Sequence, residues 1–212
     1  MVTQVQIIEW LQVFASVIRH HKEELTELDA AIGDADHGIN MDRGLKKVSN
    51  ILPSVEGKDI SSIFKTVSMA LISSVGGASG PLYGTWFLRA SSATAGKQEL
   101  TATDLSEVLK AGLNGMTERG KAQLGDKTMV DVLSPAVVAF EQAANEGKDT
   151  VAALRIAVTA AEQGLQATIP MIAKKGRASY LGDRSIGHQD PGGTSAYWML
   201  RSLFEVLEGS GV

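Results

Sequence analysis

The sequence predicts an all-α protein, an eight-helix antiparallel up-and-down barrel or bundle, on three observations. Apolar residues recur at helical spacing along nearly the whole chain; Val5, Ile8, Leu11, Phe14, Ala15 and Ile18 already trace one face of an amphipathic helix. Period-two alternation, the mark of a half-buried strand, is scarcely visible. The periodic runs are separated mostly by short interruptions, and short loops set successive helices side by side in opposite directions.

In chain order the helices are expected near residues 4–28, 40–51, 59–73, 81–95, 103–117, 127–145, 149–173 and 193–208. Asp59 precedes the third run as an N-cap, Thr103 stands three residues before Ser106 at the start of the run Leu105 to Leu113, and Gly147 follows the run ending near Asn145. No linker, internal repeat or low-complexity segment divides the chain, so residues 1–212 are expected to form one domain. That length is ample for a substantial core, and 44% hydrophobic with 21% charged residues is ordinary for a globular protein.

Composition also excludes some functions. A net charge of -4 argues against a broad basic surface for nucleic acid. The absence of cysteine removes disulfides, thiolate metal sites and cysteine nucleophiles, and it is compatible with a reducing cytoplasm. The N-terminal residues lack the pattern of a signal peptide. The most apolar stretches, Val67 to Val75 and Val132 to Phe140, fall short of the roughly twenty residues that span a bilayer. A cytoplasmic protein without nucleic-acid or membrane partners is expected.

Four interruptions carry chemistry. The first places Asp29, Asp34 and Asp36 at i, i+5 and i+7 among glycines, followed by His37 and Asn40. Carboxylates at such density repel one another unless a cation neutralises them. Oxygen-only ligation suits Mg²⁺ or Ca²⁺, and the segment lacks the spacing of an EF-hand. An Asp-rich surface turn has the same composition. The second, Ser73 to Gly84, holds four glycines and three serines before a helical run with Pro81 in its first turn. Backbone N–H groups at such a terminus bind phosphate, although a tight helix crossing explains the glycines as well. It is not a P-loop, because the Gly-Lys-Ser/Thr ending is missing. The third, Arg119 to Met129, mixes cations and glycines, with Asp126 as a candidate N-cap. The fourth, Lys174 to Thr194, is a long basic loop ending in the turn Asp190-Pro191-Gly192-Gly193.

If the helices alternate in direction, loops after odd-numbered helices share one end. All four interruptions then meet at one rim. Carboxylates for metal, N–H groups for phosphate and a cation for developing charge together describe phosphoryl transfer involving a nucleotide.

Ile32-Gly33-Asp34-Ala35-Asp36-His37-Gly38, Ser74 to Leu82, Gly125-Asp126-Lys127-Thr128-Met129 and Lys175 to Gly192 closely resemble the motifs of the nucleotide-binding L subunit of dihydroxyacetone kinase. The resemblance implies an eight-helix barrel holding ADP or ATP at one rim through two Mg²⁺ ions. Dihydroxyacetone would sit on a separate kinase subunit. It places metal ligands on Asp29, Asp34 and Asp36. It places nucleotide contacts on His37, Gly38, Ile39, Asn40, Ala78, Ser79, Gly120, Met129, Arg177, Asp190, Pro191 and Gly192. Met129 and the small residues would line the base pocket, Ser79 and nearby N–H groups would hold phosphate, and Arg177 would stabilise charge on the transferred group. His37 is expected at the nucleotide or the metal shell, because an aspartate cage without metal repels the phosphate that a phosphohistidine role requires. His188 stays open between phosphorylation and loop bracing, and His20 and His21 read as surface residues.

A free-standing L region resembles the phosphotransferase-system-dependent type. Its retained ADP is recharged by a phosphohistidine donor subunit. An ATP-dependent subunit acting on a short ketose is an alternative, as is a non-catalytic nucleotide sensor that docks onto a transcriptional regulator.

Overall fold

The computed structural model describes residues 1–209. Nine α-helices carry the fold among them: α1 (Gln4–His20), α2 (Lys22–Ile32), α3 (His37–Ile51), α4 (Ile60–Ser74), α5 (Ser79–Ala93), α6 (Ala102–Gly120), α7 (Met129–Asn145), α8 (Thr150–Ala167) and α9 (Pro191–Gly209). Two-residue strands, β1 (Val2–Thr3) and β2 (Glu99–Leu100), pair antiparallel at one edge. The fold is the expected all-α one. From α2 onward consecutive helices pack side by side, and α9 returns to α1 and closes the ring.

The difference in helix number comes from the expected first helix, which divides at His21. Its backbone there, φ -100° and ψ 19°, ends α1 and starts α2. Arg19 and His20 occupy the last turn of α1, and Glu23 and Glu24 the first turn of α2, so each terminus carries the charge its dipole favours. That charge reversal was the available signal. His20 is exposed as expected, whereas the half-buried His21 ring lies 4.4 Å from the Trp198 ring and its Nδ1 is 2.7 Å from Glu24 Oε2.

Caps explain most of the other boundaries. Asp59 accepts from the Ser62 N–H as expected. The cap of α6 is Thr101, not Thr103, in a reciprocal box with Asp104. The cap of α7 is Thr128, boxed with Asp131, while Asp126 accepts from Gln123 N inside the preceding turn. The expected helix 149–173 stops at Ala167, because Pro170 biases its predecessor away from helical backbone. Short 3₁₀ turns over Arg177–Ser185, broken at Gly182, follow.

The barrel interior is apolar. Trp10, Phe64, Trp86 and Phe87 form an aromatic cluster with centroids 4.9–6.2 Å apart, and contacts of this kind add about 0.5–1.5 kcal/mol each beyond area burial. The Trp10 indole N–H donates to Met199 O at 2.9 Å, which joins α1 to α9 at the closure. Because helix direction alternates, the junctions after α2, α4, α6 and α8 gather at one end.

Candidate functional site

Those four junctions line one cavity of about 690 Å³, within the usual range for small-molecule sites. Four helices begin there. His37, Ser79, Met129 and Pro191, the first residues of α3, α5, α7 and α9, all stand in its wall, so four partially positive helix termini converge on it.

The aspartates form its anionic corner. Asp29 is buried on the last turn of α2, Asp36 is half-buried, Asp34 is exposed, and one carboxylate oxygen of each lies within 4.8 Å of the others. Asp29 Oδ2 accepts from Asp36 N at 2.8 Å and His37 N at 3.1 Å, so a residue of the preceding helix caps α3. Gly33 permits this arrangement, since a Cβ there would collide with Asp29 Oδ1. The tight turn places Ala35 at φ 61°. Arg177 reaches across from the long loop and its Nε lies 2.6 Å from Asp34 Oδ2.

Behind the carboxylates runs a buried chain of hydrogen bonds. Ser195 Oγ donates to Gly192 O at 2.9 Å, lies 2.7 Å from Tyr83 Oη and 2.9 Å from His37 Nε2, and His37 Nδ1 lies 3.1 Å from Ser79 Oγ. Burial raises the Tyr83 phenol above its usual range, so it keeps its proton. Burial also lowers His37, against the opposing pull of Asp29 and Asp36, and favours the neutral ring. With its one proton given to Gly192 O, Ser195 accepts from Tyr83 and His37, and Ser79 then donates to Nδ1. The Ser79 proton is directed inward. No side chain caps α5, whose first N–H groups remain for an anion.

Leu82, Met116, Met129, Val130 and Pro191 give the cavity lining an apolar component. Asp190 also lines the cavity, and its Oδ2 accepts from Gly193 N at 2.5 Å. Burial, with Asp131 and Asp29 adding to it, pushes this carboxyl up to about 7 against the pull of Gly193 N–H and Lys127.

Of the residues expected to contact nucleotide, His37, Asn40, Ala78, Ser79, Gly120, Met129, Arg177, Asp190, Pro191 and Gly192 line the cavity, together with Asp29, Asp34 and Asp36. Gly38 and Ile39 do not. A Cβ on Gly38 would strike Lys22 O and Thr26 of α2, which marks a close helix crossing, and the Ile39 side chain is 49% exposed. His188 is exposed and outside the wall. The sequence reading gave no role to Lys127, which is 1% exposed and in the wall, nor to Tyr83 and Ser195 behind it. A buried lysine has no local signature, and the Tyr83–Ser195 bond joins residues 112 apart in the chain.

The model of the DAK2 domain matches residues 31–205. The chain belongs to the DAK2 domain family. It is 49% identical over 201 residues to the PEP-dependent dihydroxyacetone kinase, ADP-binding subunit DhaL, of Escherichia coli, with 95% of this chain and 96% of that protein covered. To the PTS-dependent dihydroxyacetone kinase, ADP-binding subunit DhaL, of Lactococcus lactis it is 44% identical, with 94% and 96% covered. The crystal structure of the dihydroxyacetone kinase of C. freundii, native form, superposes with a TM-score of 0.74 at 22% identity. Its complex with AMP-PNP and Mg²⁺ gives 0.73. The match covers 95% of this DAK2 chain and 34% of each kinase chain, and it bears on the fold.

Proposed function

We propose that this DAK2 chain, as one domain over residues 1–212, is the ADP-binding subunit of a cytoplasmic dihydroxyacetone kinase. It would pass a phosphoryl group from a phosphohistidine donor subunit to dihydroxyacetone held on a partner subunit. The observation that carries this reading is the meeting of three carboxylates, four helix N-termini and several apolar side chains in the lining of one cavity. Such a cavity fits a nucleotide diphosphate with divalent cations: the apolar side chains take the base, the N-termini take the phosphates, and the aspartates take metal. The names of the relatives, ADP-binding subunits at 44–49% identity, support the same reading.

Asp29, Asp34 and Asp36 would hold Mg²⁺, two ions by the family resemblance. When bound, ADP would supply the terminal phosphate that carries the phosphoryl group, and Mg²⁺ would offset its charge. Asp29 can ligate through Oδ1 while Oδ2 stays on the N–H groups of α3. His37 holds Ser79 in place, so the phosphate side of α5 presents main-chain N–H groups rather than a hydroxyl proton. Met129 and Pro191 exclude water from the base. Arg177, which pairs with Asp34 at the mouth of the carboxylate cluster, would supply a planar donor for charge on the transferred group.

The test is to denature extensively dialysed protein and identify released nucleotide by chromatography and mass spectrometry. Near-stoichiometric ADP is expected. An empty site that binds ATP reversibly would replace this reading with an ATP-dependent subunit, and no binding in the presence of Mg²⁺ would overturn it.

A further inference from the structure

The Lys127 ammonium is buried, yet its acceptors are main-chain carbonyls: Ser185 O at 2.6 Å, Met171 O at 3.2 Å and Ile169 O at 3.4 Å. An ammonium has three N–H donors, and each has an acceptor here, which offsets the cost of burial. Lys127 itself sits in the left-handed region at φ 60°, where a lysine is uncommon. The three carbonyls belong to the two arms of the segment between α8 and α9, Ile169 and Met171 leaving α8 and Ser185 returning toward α9. The ammonium therefore closes the neck of a loop.

Other bonds converge on the same neck. Gly187 N donates to Ile169 O at 2.8 Å, Ala173 N to Ser185 Oγ at 2.9 Å, and Lys174 N to Asp126 O at 3.0 Å beside Lys127. Past the neck the chain turns at Gly176, φ 64°, and delivers Arg177 to Asp34. Arg177 has a side chain 69% exposed, so packing does little to place it, and the loop backbone sets its reach.

We propose that Lys127 is a positioning residue for phosphoryl transfer: it clasps both arms of the 168–190 loop and so fixes where Arg177 meets the carboxylate cluster. This rests on the role given to Arg177 above. The clasp and the cavity wall share one turn, since Thr128 and Met129 follow Lys127 directly, so nucleotide held against Met129 is held in register with the loop.

The test compares full-length wild type with Lys127→Met, which keeps length and loses the charge. Hydrogen exchange should show lost protection at the amides of Ala173, Lys174 and Gly187 while the helices α3 to α6 keep theirs. With the partner subunits present, transfer should slow by about 10²-fold, the scale set by small misplacements. Binding of ADP with Mg²⁺, measured by calorimetry, should weaken far less than transfer slows, because the three donors of Lys127 are taken by main-chain carbonyls. In an Arg177→Ala background Lys127→Met should slow transfer no further, since Lys127 acts through Arg177. Unchanged exchange at the neck, or a full additional loss in the double variant, would overturn the proposal. If Lys127→Met does not fold, Lys127→Gln, which removes the charge and shortens the reach while leaving an amide to bond one arm of the neck, is read in the same assays. Exchange reads the clasp without any turnover, so the protection pattern tests Lys127 even if the kinase reading fails.

Discussion

Arg177 Nε lies 2.6 Å from Asp34 Oδ2, so a cation of the long loop holds a carboxylate of the proposed metal cluster. Both side chains are well exposed, and ion pairs in such settings add only about 0–1 kcal/mol to stability. The pair is better explained by chemistry than by folding. Arg177→Lys is expected to keep nucleotide and melt within a degree or two of wild type, yet transfer at least about tenfold more slowly, because a point charge replaces a planar fork. Asp34→Ala should abolish both metal binding and product formation. Stopped-flow transfer assays beside melting curves would show it, and equal rates for Arg177→Lys and wild type would sink the assignment.

Metal removal should be visible in stability. Without a cation, Asp29, Asp34 and Asp36 face one another within 4.8 Å, and nucleotide held through the metal is released as well. A ligand at a hundredfold excess over its Kd adds about 2.7 kcal/mol, which for a domain of this size corresponds to a Tm change on the order of 5–10 °C. Chelator followed by dialysis should lower Tm by that amount and Mg²⁺ with ADP should restore it. A melting curve unchanged after verified metal removal would contradict the metal assignment.

The ring of helices was legible because its cause is local. Helical spacing of apolar residues marks each element, and strict alternation carries every second loop to one end, which is how the junctions after α2, α4, α6 and α8 could be expected at one rim. What was not legible depends on partners distant in sequence. Asp29 caps α3 from the preceding helix, so that helix starts at His37 rather than near residue 40. Thr128 outcompetes Asp126 as a cap because Asp131 completes its box, and Asp126 is instead bonded to Gln123. Lys127 is buried only because three carbonyls of a loop more than 40 residues later close around it.

Asp190 gives the apo protein a pH signature. Its carboxyl stands at about 7 in the fold against an ordinary value of 3.8, so between those limits the folded state holds a proton that the unfolded chain has lost. Stability from this group therefore falls as pH rises from about 4 to about 7 and levels off above that. Asp190→Asn removes the titration and keeps an oxygen to accept from Gly193 N. The nucleotide-free variant should melt above wild type at pH 8, with the gap shrinking steadily toward pH 4. Parallel melting profiles across that range would show that Asp190 is not the titrating group.

Gly38 and Ile39 are two expected nucleotide contacts that do not line the cavity. Gly38 ends the run that resembles the nucleotide-binding signature and Ile39 follows it, yet a side chain on Gly38 would meet Lys22 O and Thr26 of α2, and Ile39 is 49% exposed. Gly38→Ala should thus act through packing, forcing α2 and α3 apart and lowering stability by about 1–3 kcal/mol, the usual range for overpacking. The α2–α3 turn carries the aspartates, so its metal affinity should fall with it. Ile39→Ala should leave ADP affinity within about twofold of wild type, as expected of a surface substitution. Calorimetric titration of both variants with ADP and Mg²⁺ separates the cases. A large loss of affinity in Ile39→Ala would return that side chain to the nucleotide site.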